Sequence, residues 1–230
     1  MTHTNRWLIS VVLLLLLQGG GMASGSVRSD LSARDVVIQH YDIFRKDRPI
    51  GTHTVSIKRH GNMHTIESST RISVSLLGFE VYRFKYDSRE TWDDAGLLQL
   101  TAIVDDDGEK AGLEGRRQDG RFIWSDGKAQ RSHAMPVYPT NHWNSAVLEQ
   151  QAVLNTLTGK INTVTIHKEG VETLKLADAG LTATRYRYDG QLQLKSWYDD
   201  AGRWIAMQFI SDDGSTIRYQ CRNCRAQAGT

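Results

Sequence analysis

The sequence predicts a mainly β protein, an antiparallel meander forming a strongly curved sheet or open barrel with one short helix near 143–153. Three observations predict it. From about residue 36 onward, polar and apolar residues alternate with a period of two, the pattern of strands buried on one face. The alternating runs are separated by short turns such as "DDAG", "DG" and "DDG", in which glycine supplies the positive φ that other residues resist. Several runs reach ten residues, a length at which strand twist curls a sheet.

The first segment stands apart from that pattern. "MTHTNRWLIS" carries one cation, Arg6, and runs into the apolar "VVLLLLLQ" and the small residues "GGGMASGS". A charged start, a short apolar stretch and a small-residue end read as a secretory signal peptide over 1–25, cleaved near Ala23 or Gly25. An uncleaved anchor has much the same pattern, but no second long apolar run follows. The expected product is a periplasmic or secreted protein with no stable membrane span after cleavage. Roughly 205 residues then remain, enough for one sizeable domain. No Pro/Ser-rich linker divides them, so 26–230 is read as a single β-rich domain.

Within the domain, "RISVSL" sets Ile72, Val74 and Leu76 on one face and Arg71, Ser73 and Ser75 on the other. "EVYRFKYDSRETW" does the same with Tyr82, Phe84 and Tyr86 against Arg83, Lys85 and Asp87. "HWNSAVLEQQAVLNT" breaks the alternation. Trp143, Val147, Leu148, Val153 and Leu154 recur at helical spacing, glycine and proline are absent, and Asn141 or Asn144 is placed to cap. Pro136 and Pro139 enforce extended geometry just before it and mark the handover from strand to helix. The echo between "ETWDDAGLLQL" and "KSWYDDAGRWIAM" is read as recurrent turn chemistry, because no period is sustained elsewhere.

The formal charge of +2 drops by one with Arg6, and the basic residues alternate with acidic ones, which argues against a nucleic-acid partner. "VDDDGEK" offers Asp105, Asp106, Asp107 and Glu109 as oxygen ligands for calcium, but contiguous aspartates on an extended strand point to opposite sides. A hairpin turn at Gly108 explains them more simply. His40, His53, His60, His64, His133, His142 and His167 are scattered and form no zinc signature. Neither a metal nor another cofactor is expected.

"YDIFRKDRPIGTHTVSI", "RFKYDSRETWDDAGLLQLTAIVDDDGEK" and "PTNHWNSAVLEQQAVLNTLTGKI" together resemble an exported bacterial family, domain-of-unknown-function family 6134. Its layout is similar to another periplasmic β-rich family that opens with a comparable hairpin and runs through successive "W-x-D-x-x-G" hairpins. The resemblance covers most of residues 38 to 220 and implies a secreted or periplasmic β domain. It carries no catalytic residues with it.

"CRNC", Cys221 to Cys224, has the spacing of a redox motif or half a zinc site. It ends a strand rather than opening a helix, so no helix dipole lowers the first thiol's pKa. A local disulfide that ties down the C-terminus is the expected state in an oxidising compartment.

Three functions follow from these features. The first is a non-enzymatic carrier of an apolar or amphipathic small molecule, a lipid among them, in the concave face of the sheet. Its polar and aromatic lip would be Asn141, His142, Trp143 and Asn144, completed by Asn155 and Thr156. The second is a hydrolase-type enzyme using His142 with neighbours such as Ser145 and Glu149, which predicts that another nucleophile, carboxylate or histidine from a distant strand converges with His142. The third is an envelope structural or assembly protein, which requires a filled core and an exposed apolar patch or unpaired strand edge. A core face and a cavity face share one periodicity, so the strand pattern alone does not choose among them.

Overall fold

The computed structural model describes residues 36–176 and 179–224; the segment read as a signal peptide, 1–25, lies outside them. The elements are β1 (Val36–Arg45), β2 (Arg48–His60), β3 (Met63–Leu76), β4 (Phe79–Asp93), β5 (Gly96–Asp106), β6 (Glu109–Gln118), β7 (Arg121–Ser125), β8 (Gln130–Ala134), β9 (Ala152–Asn155), β10 (Lys160–Leu176), β11 (Ala179–Gly190), β12 (Leu194–Tyr198), β13 (Trp204–Ile210) and β14 (Thr216–Cys221). All belong to one sheet in the order β8-β7-β6-β5-β4-β3-β2-β1-β14-β13-β12-β11-β10-β9. Two meanders, β1–β8 and β9–β14, are therefore joined where β1 pairs antiparallel with β14, Tyr41 opposite Cys221 and Ile43 opposite Tyr219.

The sheet is barrel-like but unclosed. Its outer strands, β8 and β9, share no ladder, yet the two edges meet through side chains. Trp124 on β7 donates its indole N–H to the carbonyl of Gly159 in the β9–β10 turn at 2.8 Å. A Cβ on Gly159 would lie 3.3 Å from Leu113 on β6. Curling of this kind buries one face of every strand, which is why alternation runs through most of the chain. The inward row of β4, for example, is Tyr82, Phe84, Tyr86, Ser88, Glu90 and Trp92.

The turns follow the sequence closely. The two "DDAG" turns, β4–β5 and β12–β13, use the same device, in which Asp93 Oδ1 accepts from Ala95 N and Asp199 Oδ1 from Ala201 N. Each also carries a register shift beside its aromatic residue, at Thr91/Trp92 and Trp197/Tyr198. The β5–β6 turn passes through Asp107 and Gly108, both at positive φ.

The helix expected near 143–153 is replaced by a single 3₁₀ turn, Ser145–Glu149, and Ala152–Asn155 is strand β9. Asn144 caps the turn, its side chain accepting from Ala146 N. The physical reason is reach. This segment must carry the chain from one outer edge of the sheet, β8, to the other, β9, and an α-helix advances only about 1.5 Å per residue against about 3.3 Å for extended chain. The apolar residues at helical spacing divide accordingly. Val147 is buried from the turn, while Val153 and Leu154 are buried from β9.

Candidate functional site

The crossing segment does not lie outside the sheet. After a cis Met135–Pro136 bond, Pro139 forms a parallel bridge with Leu154. Thr140 N donates to Leu154 O at 3.0 Å, and Leu154 N donates to Tyr138 O at 2.8 Å. The next two residues, Asn141 and His142, are buried in the interior. His142 adopts φ 58°, a left-handed conformation that a side chain of this size occupies at a cost.

Glu90 anchors the first half of this interior. It is fully buried, and among the described residues no cation faces it. Trp92 Nε1 and Trp143 Nε1 both donate to Oε2, at 2.6 and 2.9 Å, and Asn141 Nδ2 donates to Oε1. Burial pushes the carboxyl pKa up, and these three N–H donors pull against that rise. Asn141 is itself held on both sides. Its Nδ2 reaches Ser88 Oγ at 3.2 Å, and its Oδ1 accepts from Tyr86 OH at 2.8 Å. Thr156 Oγ1 completes the chain 2.9 Å from the same phenol. Trp143 stacks its edge on Trp92 with ring centroids 5.5 Å apart. The knot thus ties the crossing segment to the half of β4 nearest the β4–β5 turn.

The second half is aromatic. His142 lies 5.7 Å from Trp204 and 5.8 Å from Tyr188, and His53 on β2 lies 5.5 Å from the same indole. His53 Nδ1 is 2.8 Å from Thr70 Oγ1. Burial drives both imidazoles far below their usual range, to about 4 at His142 and about 3 at His53, where the nearby His142 adds to the effect. Both are neutral at physiological pH. Among the described residues, His53 Nε2, His142 Nδ1 and Trp204 Nε1 have no hydrogen-bond partner. The backbone around them is pinned by Tyr41 OH donating to Trp204 O at 2.8 Å and Tyr198 OH donating to His142 O at 2.9 Å.

The residues expected at a ligand lip are thus distributed between interior and turns. Asn141, His142 and Thr156 are buried, and Trp143 is committed to Glu90. Asn144 caps the 3₁₀ turn, and Asn155 Oδ1 accepts from Leu157 N and Thr158 N in the β9–β10 turn. Ser145 faces Gly202, and among the described residues no hydrogen bond joins His142 to Ser145 or Glu149. The group that converges on His142 from a distant strand is His53, and among the described residues neither imidazole has a carboxylate partner.

The opposite end of the sheet is different in character. At the β3–β4 end of the strands, Ile72, Phe84, Val104 and Phe209 are half-buried, packed against the core on one side and open on the other. Burial pushes the Tyr219 phenol pKa up, with a smaller contribution from Tyr82, and Phe209 stands 6.5 Å from Tyr219. These half-buried apolar side chains lie at the far end of β4 from Trp143. The sequence pattern places Ile72 and Phe84 on the apolar face of their strands but does not single out this end of the sheet.

Cys221 and Cys224 are joined by a disulfide and are both buried. The turn they close is latched onto β1. Asn223 Oδ1 accepts from His40 N at 2.9 Å, Asn223 Nδ2 donates to Ile38 O at 2.8 Å, and Arg222 pairs with Asp42. The clasp thus holds the seam between the two meanders.

Fold and site together define a barrel-like β protein whose interior is occupied by its own crossing segment. The sequence profile of the DUF6134 family, a domain of unknown function, matches residues 41–222, and the chain belongs to that family. Its fold is similar to the crystal structure of the beta-barrel-like protein of domain of unknown function DUF1849 from Brucella abortus, with a TM-score of 0.57 at 12% identity, over 81% of this chain and 94% of that one. No curated protein matches the sequence.

Proposed function

We propose that this is an exported, non-enzymatic binding protein that takes the apolar part of an amphipathic small molecule, such as a lipid, at the open end of its curved sheet. The observation that carries the reading is the set of half-buried apolar side chains there, Ile72, Phe84, Val104 and Phe209. Side chains that pack inward yet keep an open apolar flank form a partly built wall, and a ligand's apolar chain covers such a wall favourably, by about 25 cal/mol per Å² removed from water. Export is supported by the buried Cys221–Cys224 disulfide, a bond that persists in oxidising compartments. A non-enzymatic role is supported by the interior, where the two histidines are neutral and Glu90 has its oxygens taken by N–H donors.

Native mass spectrometry of the chain purified gently from periplasm tests the proposal. A discrete co-purifying amphipathic molecule is expected, together with saturable binding of the apolar probe N-phenyl-1-naphthylamine. Both should be lost in Val104→Lys, with the thermal midpoint little changed. A clean apo mass combined with no probe binding by the wild-type chain would sink it.

A further inference from the structure

We propose that the tip of the β3–β4 hairpin inserts into the surface of a lipid bilayer through Leu76, Leu77, Phe79 and Val81. The hairpin outruns its neighbours. The β2–β3 ladder ends at Gly51–Ile72 and the β4–β5 ladder at Phe84–Asp106, so the chain from Val74 to Tyr82 pairs only with itself. On that overhang Leu76 is 63% exposed, Leu77 90%, Phe79 76% and Val81 52%. Such a cluster is uncommon on a protein surface that no partner covers.

The turn residue makes the same point from the backbone. Leu77 and Gly78 are the two central residues between paired Leu76 and Phe79, with φ 51° and 87°. Two positive φ values in a two-residue hairpin turn favour Asn or Asp before Gly, and a bulky leucine there is strained. Two other such turns of this chain obey the preference, Asp107–Gly108 and Asp119–Gly120, while the β1–β2 turn places a charged pair, Lys46–Asp47, in the same conformation. Leucine at 77 does nothing for the turn and buries nothing in the fold.

The shape of the apolar surface selects the occupant. Leu76 and Phe79 are cross-strand partners on one face of the ribbon, Leu77 is at the apex, and Val81 is the extra residue of a bulge beside Glu80 on the other face. Apolar groups therefore surround the tip. A rigid protein groove covers one side of a ribbon, whereas an apolar fluid covers all of it. The charges nearby are mixed, with Arg83 and Lys85 on β4 against Glu80, Asp105 and Asp106 at the end of β5, and Asp107 in the β5–β6 turn. Insertion is accordingly driven by apolar burial, with little dependence on anionic lipid. Among the described residues no helix is long and apolar enough to cross a membrane, so the contact is peripheral. It stands whether or not the open end takes a ligand.

Flotation of the mature chain with vesicles tests it, using phosphatidylcholine alone and phosphatidylcholine with added phosphatidylglycerol. The wild-type chain should float with both to a similar extent. The double variant Leu77→Ser/Phe79→Ser should bind on the order of a hundredfold more weakly, roughly tenfold per apolar side chain. Leu77→Asn supplies the residue the turn prefers, so it should keep or raise the thermal midpoint while weakening flotation on the order of tenfold. Three results overturn the proposal: no flotation of wild type, equal flotation of wild type and double variant, or flotation confined to vesicles with phosphatidylglycerol and indifferent to the tip. Crosslinking from position 79 to an envelope protein without vesicle binding counts against it equally.

Discussion

Glu90 and Leu77 lie on one hairpin and reverse the usual rule of burial, the acid wholly enclosed and the leucine almost wholly exposed. The reversals differ in kind. Around Glu90 the chain supplies what burial takes away, with two indoles and an amide delivering N–H groups to its oxygens. Around Leu77 it supplies nothing, neither a packing partner nor a relaxed turn. A buried acid satisfied from a segment more than fifty residues away is a device for holding that segment in place. An exposed leucine in a strained turn is a device that awaits something outside the chain. The lower hairpin is explained by the fold, and its tip by a partner phase.

The comparison is sharpened first by pH. An unfolded histidine takes up its proton near pH 6.5, whereas folded His142 and His53 resist until about 4 and about 3. Between these limits the unfolded chain holds more protons, so stability is full above pH 6.5 and falls as pH drops through the folded values. At pH 4.5 the loss approaches about 2.7 kcal/mol for each histidine. Glu90 acts in the opposite sense. Its raised pKa lets the folded state bind the proton first, so its contribution is present at low pH and lost as pH rises through the folded value. Urea unfolding from pH 7 to 4.5 should therefore show a steep decline that His142→Asn flattens by about half, while Leu77→Ser leaves it unchanged. A profile that His142→Asn does not alter would mean that the interior is wetter than its packing indicates.

Removing the acid's oxygens comes next in size. Glu90→Leu leaves the N–H groups of Trp92, Trp143 and Asn141 buried and unpaired, an expected loss on the order of 4 kcal/mol at pH 7. Serine at Leu77 should cost less than about 0.5 kcal/mol in the same denaturant titration. Equal effects at the two positions would erase the distinction drawn between them.

Much of the fold was legible because burial on one face writes itself into alternation, and because aspartate–glycine turns are local. The same parity set Glu90 between Ser88 and Trp92 on the inner face of β4, and His53 in line with Val55 and Ile57 on β2. Their partners were not legible. Asn141 and Trp143 meet Glu90 only because the crossing segment passes through the interior, and nothing near Glu90 in sequence encodes that path. The helix was misjudged for a related reason. Trp143, Val147, Leu148, Val153 and Leu154 fit a helical period, but their contacts are set by the span between two sheet edges, a quantity that periodicity does not contain. The β1–β14 pairing, which joins residues some 180 positions apart, escaped for want of any local signal. The cysteine pair was readable because its two members are three residues apart.

That pair yields a smaller prediction. A disulfide closing so short a loop removes little entropy from the unfolded chain, about 2 kcal/mol. Cys221→Ser/Cys224→Ser should lower stability by that amount, and amide exchange should rise along β1 and β14 rather than in the β3–β4 hairpin. Exchange that rises equally in both would mean that the clasp acts on the whole sheet.

The smallest effect carries the opposite sign. Leu77→Asn relieves a bulky residue of its left-handed backbone and gives the turn the Asn-Gly pair it favours, while removing no buried contact, since the side chain has none. Stability should rise by about 0.5 to 1 kcal/mol, the scale of a backbone-compatible turn substitution. A fold selected for stability alone would hold asparagine there. If the variant is instead destabilised, Leu77 packs against something within the chain, and its exposure needs no external partner. If it is stabilised, leucine is retained at a cost to the fold, and that cost measures what the tip contributes when it meets an apolar surface.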